Sequence, residues 1–161
     1  MTILKLSIKR LRMLLFIVLI AFSNVLFAEI IEIPNVGLSI DAPESFSNST
    51  TFDGIINLKS NDAILMRILP ESAPPEFIDS FTKELLLTRN INELSREKIM
   101  LDDTEATLIK ATQNANGEIL GKWLLLFYRN SQAFIVAATF RDLESDINDK
   151  IKLSLSSIRF I

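Results

Sequence analysis

The residues that could do chemistry begin with two Ser-x-x-Lys segments, Ser80 to Lys83 and Ser95 to Lys98. This spacing occurs in serine acyl-enzymes, but those enzymes also carry K-T-G and S-D-N motifs, and the sequence has neither. The 161 residues include no histidine and no cysteine. Ser-His-Asp and Cys-His catalysis, the usual zinc sites and ligation of haem by histidine therefore cannot be built from this chain. We predict no catalytic residue, no metal ligand and no cofactor.

Acidic residues offer two further possibilities. One series of acids has the spacing of a cation-binding loop: Asp142, Glu144, Asp146 and Asp149. It lacks the glycine at the turn of such a loop and the glutamate that closes it. The acidic first turns of a helix explain these residues better. A pair of carboxylates for hydrolysis of a glycoside could come from any of the 20 acids. A hydrolase that uses only carboxylates therefore stays open as an alternative.

The first 28 residues have the pattern of a secretory signal peptide. An apolar run from Met13 to Phe22 follows a basic stretch, and Ala28 is a small residue at the end; the basic residues are Lys5, Lys9, Arg10 and Arg12. We predict cleavage before Glu29, a periplasmic or secreted location, and a single domain over residues 29–161. The alternative is an uncleaved anchor, which would be the chain's contact with a membrane.

Charge and composition limit the partners of the predicted domain. Residues 29–161 keep 13 of the 17 Lys and Arg residues and all 20 Asp and Glu residues, so their formal net charge is −7. An acidic domain is a poor binder of nucleic acid through its overall field. The absence of cysteine fits a bacterial cell envelope better than a disulfide-rich extracellular module.

The remaining chain must supply a sheet, and its centre is a hairpin. Trp123 to Tyr128 and Ala133 to Phe140 are almost continuously apolar, which predicts two strands buried on both faces. Trp123, Phe127 and Tyr128 could form an aromatic platform for a ligand, but such a strand more often places them in the core. The hairpin closes a predicted antiparallel meander of four strands, about 96–101, 104–113, 118–128 and 132–140, with the first at the edge.

Other elements flank this meander. We predict two N-terminal strands joined at Pro34-Asn35, a polar surface loop over 47–52, strands at 55–58 and 63–69, and an end of the sheet pattern at Pro70. Helical spacing predicts one helix over 75–89 and a closing helix from Asp142, with Asn148 on its polar face. Residues 159–161 are predicted to form an extended tail.

Four segments carry a resemblance to a known superfamily. They are residues 38–46 (LSIDAPESF), the Pro75-Glu76-Phe77 helix start, Gly121-Lys122-Trp123 before the hairpin, and residues 155–160 (LSSIRF). In their order they resemble the Mog1/PsbP-like superfamily over most of residues 29–161, without an invariant motif. The resemblance implies an α+β fold, an α/β/α sandwich with a central, mainly antiparallel β-sheet and helices on both faces. An NTF2-like or cystatin-like fold is the alternative.

The resemblance also implies a function. Superfamily members with known roles are mostly non-catalytic: photosystem assembly factors, a binder of a nuclear transport GTPase, and chaperones that shield hydrophobic segments. We therefore expect a protein-binding or assembly module whose partner is another envelope protein or a hydrophobic segment. Phe46, Ser49 and Phe52, at and beside the predicted loop, are the candidate partner-binding residues. A small-ligand carrier is the alternative, and a deep pocket with convergent polar groups would favour it.

Overall fold

A hairpin of two long strands occupies the middle of the sheet, as predicted. In the computed structural model the described residues are 29–42, 46–52, 55–60, 65–141 and 146–161, with only the main chain described for 46–52 and 60. Strand β8 (Glu118–Arg129) and strand β9 (Gln132–Phe140) pair from Gly121 opposite Phe140 to Arg129 opposite Gln132.

Five more strands extend this hairpin into one antiparallel sheet of order β3-β4-β5-β9-β8-β7-β6. They are β3 (Phe46–Phe52), β4 (Ile55–Ser60), β5 (Leu65–Glu71), β6 (Ile91–Leu101) and β7 (Thr104–Ala115). The predicted α+β class with a mainly antiparallel sheet is confirmed, and β6 is an edge strand as predicted. The predicted loop over 47–52 is wrong, because this segment is strand β3.

Tight turns set the register of the meander. Asn116 and Gly117 both have positive φ, as do Asn130 and Ser131. Two such residues in succession are typical of the two-residue turns whose twist matches that of the flanking strands. The Asn114 side chain supports its turn by accepting a hydrogen bond from the Gly117 N–H over 3.1 Å.

The two ends of the described chain form a second, small sheet. Strand β1 (Glu29–Ile33) and strand β10 (Arg159–Phe160) both pair with β2 (Leu38–Ala42), and a short 3-10 helix (Pro34–Val36) joins β1 to β2. The predicted N-terminal strands and extended tail are confirmed. Strand β10 is held further because the Asp102 carboxylate accepts the Phe160 N–H over 3.2 Å.

The predicted helix over 75–89 is two helices, α1 (Glu76–Asp79) and α2 (Lys83–Thr88). Thr82 between them is extended, and its hydroxyl accepts the N–H of Leu85 over 3.2 Å as an N-cap. A capping threonine starts a new helix rather than continuing an old one.

The closing helix is α3 (Asp146–Ser156), and residues 142–145, where we predicted its start, lie outside the described residues. Ile147, Ile151 and Leu155 recur four residues apart along the helix and contact the main core. Ile158 lies after the helix but is also buried.

Pro70 does not end the sheet, because β5 continues through it to Glu71 opposite Ala133 of β9. The described pairing of β5 with β4 covers only Leu65 to Ile68. Within the described residues Pro70 therefore has a neighbour on the β9 side alone, and a proline without an N–H is tolerated at such a position.

Two apolar clusters meet at β8, one on each side of the sheet. Trp123, Leu125 and Phe127 belong to the larger cluster, which includes β2 and α3. Leu124 and Leu126 belong to the smaller one, with Leu86 of α2. The five side chains from Trp123 to Phe127 are at most 4% exposed, which confirms that this strand is buried on both faces.

Candidate functional site

The predicted partner-binding residues lie on an edge strand. Phe46, Ser49 and Phe52 are all in β3, where they pair with Ser60, Leu58 and Ile55 of β4; their side chains are outside the described residues. The sequence contained a signal for this strand. Asp-Gly is a strong hairpin signal, and Asp53-Gly54 lies between two segments of strand-forming residues.

The two edges of the large sheet differ in charge. Strand β6 carries Glu93, Arg96, Glu97 and Lys98, and these charges form ion pairs, for example Arg96 Nη2 with Glu93 Oε2 at 2.8 Å. Strand β3 has the sequence FSNSTTF and no charge. Charged side chains protect an edge from pairing with another chain. The edge at β3 lacks that protection.

Between α2 and the far strands, one face of the sheet holds a groove of about 550 Å³. Its floor is apolar and comes from β5, β9 and β8, and Phe81 and Leu86 form one side. The floor residues are Leu65, Leu69, Ile135, Ala137, Leu120 and Leu124. A volume in this range is typical of pockets for small ligands.

Lys122 lies in the middle of this groove. Its ammonium donates hydrogen bonds to Gln113 Oε1 at 2.6 Å and to Thr139 Oγ1 at 3.1 Å, both neutral acceptors. The side chain is half-buried, and this desolvation, together with the positive charge of Arg67, lowers its pKa below the ordinary value of 10.5. Within the part of the chain that the structure describes, this lysine therefore has neutral hydrogen-bond acceptors and no acidic partner.

Arg67 is another cation of the groove, which Arg89 and Arg141 also line. It pairs with Ala137 of β9, while Lys122 on the other side of β9 pairs with Thr139, two residues further along. Two strand spacings and a two-residue offset place their Cα atoms about 12 Å apart across β9, a distance that their long side chains can bridge. Among the described residues neither has an ion-pair partner, whereas Arg141 at the rim binds Glu118 at 3.3 Å.

These two cations were missed at the sequence level, although a signal exists. Each interrupts a run of apolar residues in a strand: Arg67 stands between Met66 and Ile68, and Lys122 precedes Trp123. A charged residue in such a run either faces water or lines a site.

The other sequence candidates do not assemble into a site. The Ser80 hydroxyl donates to the carbonyl of Phe77 at 2.6 Å, and Asp146 forms an ion pair with Lys150 at 2.6 Å. Trp123 and Phe127 are core residues, as expected, and Trp123 Nε1 donates to Asn148 Oδ1 at 3.0 Å. Asn148 was predicted on the polar face of α3, which is wrong because it is half-buried against the sheet.

The described part of the chain has neither a cluster of metal ligands nor a membrane-spanning helix. No group of three or more metal-ligating side chains comes together there. None of the helices seen in those residues has the length and apolar character to cross a membrane.

No protein-family model matches the sequence, and no curated protein sequence matches it. Solved structures do match its fold. The chain is similar to a protein from Bacteroides thetaiotaomicron with a TM-score of 0.58 and 12% identity over 84% of this chain, and it spans about half (49%) of that protein. It is similar to cyanobacterial PsbP (CyanoP) from Synechocystis sp. PCC 6803 with a TM-score of 0.57 and 8% identity, over 86% of this chain and 96% of the other.

A third similar structure is PA94 from Pseudomonas aeruginosa, a protein of unknown function described as a candidate regulator. The TM-score is 0.53 and the identity 13%, over 80% of this chain and 93% of that one. At these identities the likeness concerns the fold. It supports the PsbP-like architecture that the resemblance implied.

Proposed function

We propose that this protein is an exported, non-catalytic binding module of the Mog1/PsbP-like type, and that a partner protein binds by adding a strand at β3. The observation that carries the proposal is the uncharged edge of the large sheet at β3, opposite an edge at β6 that charges protect. An exposed strand edge offers main-chain donors and acceptors to an extended segment of another chain.

The sandwich arrangement is part of the same proposal. The cluster around Leu125 and Phe127 joins α3 and the small sheet to one face, and the cluster around Leu124 joins α2 to the other. Helices on both faces leave the edges of the sheet as the places where another chain can pair.

In-cell photocrosslinking tests the proposed edge. A photoreactive residue placed at position 46, 49 or 52 should give one discrete adduct. The same residue at Leu94 on the β6 edge or at Leu153 on α3, which are 53% and 71% exposed, should not. Thr50→Lys should abolish the adducts because a lysine on an edge opposes strand addition, and Leu94→Lys is its matched control. Adducts at all positions, or adducts that survive Thr50→Lys, would reject the β3 edge.

Export is tested separately. We expect the protein in the periplasm or medium with an intact mass that begins at Glu29. A full-length mass in the membrane fraction would instead support the uncleaved anchor.

A small-ligand carrier is the second candidate function, and the groove over β5, β9 and β8 favours it. The alternative of a carboxylate hydrolase has less support there. Among the described residues that line the groove, Glu118 is the one acid, and it is bound to Arg141. The usual mechanism needs two carboxylates on either side of the scissile bond.

A further inference from the structure

The groove combines an apolar floor with two cations, Lys122 and Arg67, that have no ion-pair partner among the described residues. Several cations on the described surface form ion pairs with acids, as in Lys98 with Glu105 and Lys152 with Glu97. Lys122 instead donates to two neutral oxygens, and within the described residues Arg67 has no acidic partner. Holding a half-buried ammonium without a counter-charge costs free energy of folding, which a bound anion would recover.

The apolar part of the groove lies beside these two cations. Ala137 stands between Arg67 and Leu124 along one cross-strand row, and its small side chain leaves the floor low there. Ile135 and Leu69 form the next row. Both rows are partly exposed, so apolar surface continues from the cations towards Phe81 of the helical side.

The polarity of this floor favours an acyl chain over a peptide. In this region β9 and β8 are paired on both sides, and β5 is paired on both sides from Leu65 to Ile68, so most main-chain groups of the floor already have partners in the sheet. A peptide laid across the floor would leave its own N–H and C=O groups without partners, which is costly away from water. An acyl chain has no such groups.

The chain's own N-terminal segment offers no negative group to these cations. That segment is apolar, but its only charged residues are basic: Lys5, Lys9, Arg10 and Arg12. Positive charge there would meet Lys122 and Arg67 unfavourably.

We propose that this groove binds a free long-chain carboxylate, with its head group between Lys122 and Arg67 and its chain over Ala137 and Ile135. This site is separate from the β3 edge, so it does not depend on the protein partner. Carboxylates form charge-assisted hydrogen bonds with ammonium and guanidinium groups, while the chain buries apolar surface on the floor.

Titration calorimetry with laurate, below its micelle concentration, tests the site. We expect Lys122→Met and Arg67→Met each to weaken laurate binding about tenfold or more, since each removes one charge-assisted contact. Dodecanol, which has the same chain and no charge, should bind wild type more weakly by a similar factor. Lys110→Met is the matched control because Lys110 pairs with Trp123 on the opposite face of the sheet, and it should change nothing.

Ala137→Leu tests the apolar half with both cations intact, and it should abolish binding by filling the floor. Circular dichroism checks that each variant is folded. If one of the other variants does not fold, Arg67→Met still tests the site, because Arg67 is exposed and its replacement should not disturb the core. The proposal is overturned if laurate does not bind, if dodecanol binds equally well, or if Lys122→Met and Lys110→Met behave alike. Sedimentation with anionic vesicles, in place of binding to free laurate, would assign this surface to a membrane and also overturn it.

Discussion

The burial of β8 on both faces leads to a quantitative prediction for two neighbouring leucines. Leu125 and Leu126 are both 0% exposed, but they belong to different apolar clusters on opposite sides of the sheet. The test truncates each in turn, as Leu125→Ala and Leu126→Ala. If the sheet had one solvated face, one of the two variants would be almost neutral.

The expected losses follow from how well each site can relax. Leucine-to-alanine changes in cores cost about 2.7–5.0 kcal/mol, more where the cavity stays open. Leu125 lies in the larger cluster among strands and α3, which cannot easily move, so we expect about 4 kcal/mol. Leu126 lies under the short helices α1 and α2, which can settle into the space, so we expect about 3 kcal/mol. Leu125→Asp and Leu126→Asp would add several kcal/mol for an unpaired buried carboxylate, which approaches the total of about 5–15 kcal/mol, and neither should fold.

Urea unfolding gives the answer directly. With a slope of about 1–3 kcal/mol per molar urea, losses of this size lower the midpoint by more than about 1 M at an unchanged slope. Leu153→Ala is the matched control, because Leu153 is 71% exposed and its truncation should stay within about 0.5 kcal/mol. If either core variant behaves like Leu153→Ala, one face of β8 is open and the two-sided core is wrong.

Three further changes probe single contacts. Because the pKa of Lys122 is lowered in the folded state, its positive charge destabilises the fold at neutral pH. This cost disappears as the pH rises from the folded pKa towards 10.5, where the lysine is neutral in both states. Lys122→Met should therefore be more stable than wild type at neutral pH in urea unfolding, and the difference in unfolding free energy should decrease over that pH range. The hydrogen bond from Arg96 lowers the pKa of Glu93, so the stability that Glu93→Gln loses at neutral pH, measured by urea unfolding, should shrink as the pH falls below 4.5 through the folded pKa. Asn148→Leu should leave the Trp123 N–H without its acceptor at 3.0 Å, costing about 1–3 kcal/mol in the same assay.

Much of the sheet was predictable because its signals are local. The meander has alternating or continuous apolar strands with Asn-Gly and similar turns between them, and each strand pairs with the next one along the chain. Period and turn chemistry then determine both the pairing and the order. The pairing of β5 with β9, by contrast, joins segments that are distant in the chain. No local pattern predicts that β9 pairs with β5 on the side away from β8.

The errors have equally local causes. Residues 47–52 are polar enough to resemble a loop, but an edge strand needs only one neighbour, and threonine suits it well. The split between α1 and α2 was missed because a threonine can lie inside a helix or cap the start of a new one, and Thr82 is a cap. The groove could not be derived because Arg67 and Lys122 are 55 positions apart in the chain, and only the β5–β9–β8 pairing brings them to one face.

The size of the helical segment explains why a groove exists on this face. Helices α1 and α2 have 4 and 6 residues, so at about 1.5 Å per residue they are about 6 and 9 Å long. Seven strands at about 4.8 Å spacing make a sheet about 29 Å wide. Two such helices leave part of the face uncovered. This one keeps Leu65, Leu69 and Ile135 beside Lys122 and Arg67, a composition that fits a ligand with one charged end.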